Sequence, residues 1–291
     1  MITIADLLAC KSLLDKASDS SMLDVELLLC HCLNKNRTYL RTWPEREIDE
    51  DTVVAFNALL ERRLGGEPIA YLIGSRGFWT LDLAVNESTL IPRPETELLV
   101  EQALACLNNL PQTDTLKINV LDLGTGSGAV ALAIAAENND WQVLGSDKHS
   151  EPLVLAEKNR HQHKLANVSF VQSDWFADLA PQCFDLIVSN PPYIDQNDPH
   201  LQQGDVRFEP RSALVAANKG LADIEHIAAM AKSYLKPQGR LIFEHGYDQA
   251  RAVRGIMASS GFKSPYTVKD LSGNDRITQA IINKHSRELG E

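Results

Sequence analysis

The chain has 291 residues, 44% of them hydrophobic, and a mean hydropathy of −0.19, which is room for one large globular domain and a smaller one. No run approaches the ~20 apolar residues of a membrane span, and Met1-Ile2-Thr3-Ile4-Ala5-Asp6 lacks the basic start and apolar core of a signal peptide, so a cytoplasmic protein without membrane association is expected. A net charge of −11, with lysines and arginines scattered, speaks against the basic stripe that duplex nucleic acid requires, and no direct nucleic-acid binding is expected.

Residues 1–74 read as a helical block, with helices over Ile4 to Lys16, Ser21 to Cys32 and Asp49 to Leu64. Leu23-Leu27-Leu28 and Phe56-Leu59-Leu60 repeat at the i, i+3/i+4 spacing of a buried face. Asp49-Glu50-Asp51 puts negative charge at a helix start, and Gly65-Gly66 closes that helix. Arg62-Arg63 reads as a solvated face. The five cysteines form no disulfide framework. Cys30-His31-Cys32 lies in an apolar helical run with no second ligand pair, which favours core packing over zinc, and no metal site is expected anywhere.

Residues 75–90 alternate through Phe78, Leu81, Leu83 and Val85 with a turn at Asn86-Glu87-Ser88, the pattern of a β-hairpin linker. A helix from Glu95 to Leu107 then leads into residues 91–291, where five strands alternate with helices. The last of the five is Gly239 to His245, after a helix from Gly220 to Leu235. Tyr266 to Lys269 and Arg276 to Asn283 are joined by a loop too short for a crossover helix, so they form an antiparallel terminal hairpin. The tail from Lys284 to Glu291 reads as frayed. The expected fold is α/β: a seven-stranded, mostly parallel Rossmann-like sheet with a terminal antiparallel hairpin, plus a small N-terminal helical bundle.

Open α/β sheets bind ligands beyond the carboxyl ends of their strands, and the strand ends here are unusually polar. Asn119 to Leu123 runs into Gly124-Thr125-Gly126-Ser127-Gly128 and a helix from Ala129 to Glu137, a turn that lets backbone approach a ligand closely. The spacing is not the dinucleotide G-x-G-x-x-G, and Asp122 beside it suits a cationic ligand better than a pyrophosphate. The next strand ends in Asp147, placed to accept from ribose hydroxyls. A third, Val168 to Gln172, ends in Ser173-Asp174-Trp175-Phe176, where a carboxylate and an aromatic could hold adenine. Phe184 to Ser189 ends in Asn190-Pro191-Pro192-Tyr193. Prolines lack an N–H, so this loop offers acceptor oxygens and a ring to a planar –NH2 group.

Asp122-Leu123-Gly124-Thr125-Gly126-Ser127-Gly128, Asp147 and Asn190-Pro191-Pro192-Tyr193 resemble the motifs of S-adenosylmethionine-dependent methyltransferases that act on amide or exocyclic nitrogen. Gly66-Glu67-Pro68-Ile69-Ala70-Tyr71, Leu90-Ile91-Pro92-Arg93-Pro94-Glu95-Thr96-Glu97, Val206-Arg207-Phe208-Glu209-Pro210-Arg211, Phe243-Glu244-His245-Gly246 and Asp270 to Arg276 extend the likeness over nearly the whole chain. On these motifs the chain is similar to the release-factor glutamine methyltransferases, the HemK/PrmC family.

That resemblance implies methyl transfer to the side-chain amide N5 of the glutamine in the Gly-Gly-Gln motif of peptide chain release factors, with S-adenosylhomocysteine as product. Gly124, Thr125, Gly126, Ser127, Gly128, Asp147, Trp175 and Asn190 would hold the cofactor. Asn190, Pro191 and Tyr193 would be catalytic, and with Pro192 they would bind substrate. Residues 1–74 would recognise the substrate. Two other readings are a nucleic-acid amino methyltransferase acting on adenine N6 or guanine N2, and a non-catalytic nucleoside-binding or docking module. His245 and Glu244 read as strand-end hydrogen-bonding residues; Arg93, Glu95, Arg207 and Glu209 would clamp substrate or pair with one another.

Overall fold

The computed structural model describes residues 1–16, 18–108, 117–181 and 184–282. The expected frayed tail, the end of the last strand at Asn283 and Cys183 fall outside them. Two compact units emerge: Met1–Ser75 with Val85–Glu87 and Pro199–Phe208, and Arg76–Ala84 with Ser88–Asp198 and Glu209–Glu291.

The first unit packs α1 (Ile4–Ala9), α2 (Lys11–Leu14), α3 (Ser21–Leu33), α4 (Arg37–Thr42), α5 (Glu50–Leu64) and α6 (Ile69–Ile73) around Ile4, Val25, Leu28, Leu29, Leu40, Phe56 and Leu60. Each such side chain removed from water contributes about 1.5–3 kcal/mol. Thr3 caps α1 in a capping box with Asp6, and Asp49 caps α5 by accepting from the Thr52 N–H. The single helix expected over Ile4 to Lys16 is instead two, because α1 ends at Cys10 after one and a half turns and α2 restarts. The short α4 and α6 have too few turns to display periodicity.

Arg63 corrects the expectation of a solvated pair. It is buried, and its guanidinium donates to Asp24 at 2.7 Å, to the Glu67 carbonyl at 3.0 Å and to Asp205 at 3.3 Å. Asp24 is buried on α3, so the two charges satisfy each other. Arg62 does lie exposed, paired with Glu67. Cys30 and Cys32 are half-buried against the core of the bundle.

The second unit begins at Arg76, within a hairpin of β1 (Ser75–Phe78) and β2 (Leu81–Ala84). After a 3-10 turn at Pro94–Thr96 come α7 (Glu97–Asn108), β3 (Asn119–Leu123), α8 (Ala129–Glu137), β4 (Gln142–Asp147), α9 (Ser150–Gln162), β5 (Val168–Gln172) and β6 (Phe184–Ser189). The kinked turn α10 (Ala217–Gly220), α11 (Ala222–Ala231), β7 (Leu235–Glu244), α12 (Ala250–Ser259), β8 (Lys263–Lys269) and β9 (Asp275–Ile281) complete it. The sheet runs β5-β4-β3-β6-β7-β9-β8, parallel except where β9 pairs with β7 and β8. This is the seven-stranded, mostly parallel sheet the sequence predicts, with its antiparallel end.

Two expectations fail in the second unit. No helix links β5 to β6 among the described residues; Phe176 and Leu179 cover that face instead, with Phe176 stacked on Tyr234 at 4.5 Å. The helix expected to reach Leu235 ends at Ala231, and β7 starts at Leu235, which pairs with Phe184 across an irregular register before regular pairing resumes at Arg240. Gln238, at φ 66°, and Gly239 make that irregularity. Periodicity placed apolar Tyr234 and Leu235 on the helix, whereas Tyr234 sits in the turn that follows it, against Phe176, and Leu235 opens β7 beside Phe184. The order of strands reverses at β3, with β4 on one side and β6 on the other, so the carboxyl ends of β3, β4 and β6 surround the switch point of the sheet.

Candidate active site

A cavity of about 380 Å³ opens there, within the range of small-molecule sites. Ser88 to Leu90, the glycine turn, Asp147, Asp174, Trp175 and Asn190 line it. The sequence-predicted residues Gly124, Thr125, Gly126, Ser127, Asp147, Trp175, Asn190 and Pro192 therefore face one space. Gly128, Pro191 and Tyr193 adjoin it without lining it.

The glycine turn is built for close approach. Gly124, Gly126 and Gly128 take φ values of 72°, 56° and 83°, a region costly for any residue with a Cβ. A Cβ on Gly128 would also meet Leu132 at 2.9 Å and Phe170 at 3.1 Å, whereas one on Gly126 would meet nothing within 4 Å. So Gly128 serves packing as α8 opens, and Gly126 keeps backbone open beside the cavity.

Asp122 is among the residues lining the cavity, and it also braces the turn. Its Oδ2 accepts from the Thr125 hydroxyl at 2.7 Å and from the Ala131 N–H at 3.2 Å. It thus ties the turn to the first turn of α8 and satisfies one of that helix's unpaired N–H groups. Burial pushes its carboxyl up to about 6 despite those two bonds. Asp147, at the end of β4, accepts from the Gly126 N–H through Oδ2 and from the His149 N–H through Oδ1, both at 3.0 Å. The two bonds fix the carboxylate while each oxygen keeps a further acceptor direction.

At the end of β5, Asp174 pairs with Lys148 at 2.8 Å, and both are exposed. Trp175, at φ 53°, turns its indole toward the glycine turn, and a Cβ on Gly124 would touch it at 3.5 Å. The Ser173 hydroxyl donates to the Trp175 carbonyl at 2.8 Å and holds that bend. Phe176 points into the core, so the aromatic wall of the cavity is Trp175 alone in this segment.

At the end of β6, Ser189 donates to the Leu123 carbonyl at 2.7 Å and locks β6 to β3 just before the loop. Asn190 donates through Nδ2 to the Thr96 hydroxyl at 3.4 Å, which leaves its carbonyl oxygen as the end of the side chain able to accept from a ligand. Tyr193 donates to Glu244 Oε1 at 3.3 Å, and its backbone carbonyl accepts from Gln249 at 2.9 Å. Burial, with the Glu244 charge next, pushes the Tyr193 phenol well above its usual range.

The flanking residues separate into two groups. Arg93 and Glu209 pair with each other, and buried Glu209 also accepts from the Ile91 N–H at 3.3 Å, which joins the two loops beside the cavity. Arg207 instead belongs to the first unit, where it donates to the Gly65 carbonyl at 3.3 Å. His245 is buried; Nδ1 meets the Gly246 carbonyl at 2.8 Å and Nε2 meets the Thr278 hydroxyl at 2.7 Å. Burial lowers its pKa and keeps the imidazole neutral.

Sequence reasoning quoted Thr96 in a motif without giving it a role and overlooked Asn159. Buried Asn159 on α9 donates to the Ser127 carbonyl at 2.9 Å and the Ala84 carbonyl at 3.0 Å, joining the hairpin to the glycine turn. Its signal was there: Pro152, Leu155, Ala156 and Asn159 share the buried face of α9 at helical spacing. Thr96 sits in a 3-10 turn with no periodic cue.

With the geometry in place, the likenesses are informative. Residues 7–74 match the family model described as PrmC N-terminal domain, and residues 114–283 match a model described as methyltransferase domain. A release factor glutamine methyltransferase of Shewanella oneidensis is 50% identical over 262 residues, 90% of each chain. One of Pseudomonas aeruginosa is 51% identical over 278 residues, 96% of this chain and 98% of that one. Among solved structures, a methyltransferase from Pyrococcus furiosus aligns at 17% identity and a TM-score of 0.52, covering 78% of this chain and all of that one, a likeness of fold. At half identity across nine-tenths or more of the chain, this protein belongs to the release factor glutamine methyltransferase family.

Proposed function

We propose that the chain transfers a methyl group from S-adenosylmethionine to the side-chain amide N5 of the glutamine in the Gly-Gly-Gln motif of a peptide chain release factor. The observation that carries this reading is the Asn190-Pro191-Pro192-Tyr193 loop beside a cavity walled by the glycine turn, Asp147 and Trp175. The donor set suits this cofactor: a fixed carboxylate at Asp147 for two ribose hydroxyls and an indole at Trp175 for a base, while Lys148, which also lines the cavity, is paired with Asp174. When bound, S-adenosylmethionine supplies a methyl group whose bonding pair leaves with the sulfonium sulfur, giving S-adenosylhomocysteine.

The chain's own task is the nucleophile. An amide nitrogen shares its lone pair with the carbonyl and attacks poorly. The Asn190 side-chain oxygen and the Pro191 backbone carbonyl would accept from the amide –NH2, orient its lone pair and favour positive charge growing on nitrogen. The amide then releases a proton to water. Tyr193 would border the flat group. Residues 1–74 would recognise the protein that carries the glutamine; their exposed apolar residues include Trp43 and Val54.

Incubation with labelled S-adenosylmethionine and either intact release factor or duplex DNA tests the reading. Label on the glutamine is expected. Label on DNA alone would establish the nucleic-acid alternative, and transfer to neither would favour a non-catalytic module.

A further inference from the structure

Glu244 closes β7 in a place where a carboxylate is expensive. It is 1% exposed; Oε1 accepts from the Tyr193 hydroxyl, while Oε2 is buried with no hydrogen-bond partner among the described residues. An apolar side chain of that volume would avoid the desolvation cost, and buried polar atoms in proteins are rarely left unpaired without a role. The mechanism above makes no use of it.

Its surroundings point to the amide-binding loop. The Thr96 hydroxyl stands beside the Glu244 carboxyl, and the same hydroxyl accepts from Asn190. Both ends of the tetrapeptide, Asn190 through Thr96 and Tyr193 directly, therefore lead to one carboxyl. The other charged groups facing it are Arg276 on β9 and Glu95 in the 3-10 turn, with Arg93 facing Tyr193. Neighbouring His245 is occupied by Gly246 and Thr278 and points elsewhere.

We propose that Glu244 is a positioning residue for methyl transfer: it holds Tyr193 and Thr96, sets the Asn190 oxygen through Thr96, and backs the loop with negative charge. This rests on the glutamine-amide reading for its substrate, though not for the contacts. The carboxylate is the working form, since it alone supplies the negative charge behind the loop and presents only acceptor oxygens to the Tyr193 hydroxyl and the adjacent Thr96 hydroxyl. Burial pushes Glu244 up to about 7, with Glu95 adding to the rise and Thr96, Arg276 and Tyr193 opposing it. Turnover should therefore fall as pH drops through about 7.

The test is the pH profile of kcat in the full-length enzyme acting on release factor. Glu244→Gln is expected to lower kcat at least tenfold at pH 8, to leave the KM for S-adenosylmethionine within twofold, and to lose the limb near pH 7. Glu244→Asp should restore that limb. Wild-type kcat with an unchanged limb in Glu244→Gln would overturn the proposal. A substrate-free measurement guards against misfolding: the ¹³C carboxyl titration of Glu244 should move to higher pH in Tyr193→Phe, and a titration that stays put overturns the link. Should the wild-type enzyme methylate DNA and not glutamine, the functional reading fails separately. The limb measured on DNA then decides Glu244 by the same two outcomes.

Discussion

The glycine turn and the Asn190 loop both line one cavity and are held in different ways. At the glycine turn, side chains mostly grip backbone: Asp122 accepts from the Ala131 N–H besides the Thr125 hydroxyl, Asp147 accepts from the Gly126 and His149 N–H groups, and the Asn159 amide donates to the Ser127 carbonyl. At the Asn190 loop, the two side chains that end the tetrapeptide are themselves gripped by side chains, Asn190 by Thr96 and Tyr193 by Glu244, besides the bond from Gln249 to the Tyr193 carbonyl. Backbone grips shape a surface whose chemistry any ligand of the right outline can use. Side-chain grips set the direction of a few acceptor atoms and leave one charge only half satisfied. The first arrangement suits binding, the second suits the step where charge develops.

Replacing a group on each side separates the two most sharply. Asn190→Ala should lower kcat by about 10²–10³-fold, roughly 2.7–4 kcal/mol, as for the loss of one preorganised transition-state partner. The thermal midpoint should stay at the wild-type value. A variant with full turnover would remove the loop from the chemistry.

Stability against pH sharpens the contrast in charge. Glu244 and Asp122 titrate at about 7 and about 6 in the fold, above their ordinary values of 4.5 and 3.8. Between the ordinary and raised values the native state binds more protons than the unfolded chain, so stability falls as pH rises from about 4 to about 7. Glu244→Gln should remove its part of the slope, narrowing the wild-type advantage by up to roughly 3 kcal/mol between pH 4.5 and pH 8. Chemical denaturation at the two pH values checks this; parallel slopes would mean that Glu244 titrates normally.

On the binding side, Asp147→Ala should weaken S-adenosylmethionine binding by about 1.5–3 kcal/mol, the value of hydrogen bonds to a charged acceptor. Calorimetry showing unchanged affinity would take Asp147 out of the site. The smallest effect belongs to Lys148→Ala, which breaks an exposed ion pair with Asp174 and should leave the thermal midpoint at the wild-type value.

What the sequence revealed follows the same division. Strands β5 and β6 and helix α8 begin and end where apolar runs and glycines place them, because local pattern and burial agree there. The strand-end motifs were visible for the same reason, since each follows directly on a strand. Hidden from a linear reading were contacts between distant residues. Arg63 is 39 residues from Asp24, Thr96 is 94 from Asn190, and Tyr193 is 51 from Glu244. The start of β7 was misjudged because Tyr234 and Leu235 are apolar in either conformation, and the adjacent β6 chose the strand.

The return of Pro199–Phe208 to the first unit has a consequence in time. The apolar core of that unit lies between Ile4 and Leu72, so it can assemble as soon as those residues leave the ribosome. Asp205, one of the acceptors for the buried Arg63 guanidinium, is made 142 residues later. At ~5–20 residues per second, that is a wait of roughly 7–30 s. Through that interval the nascent bundle carries Arg63 with Asp24 and Glu67 as partners and Asp205 still missing. The helical unit therefore reaches its final state only after much of the sheet that follows it has been synthesised.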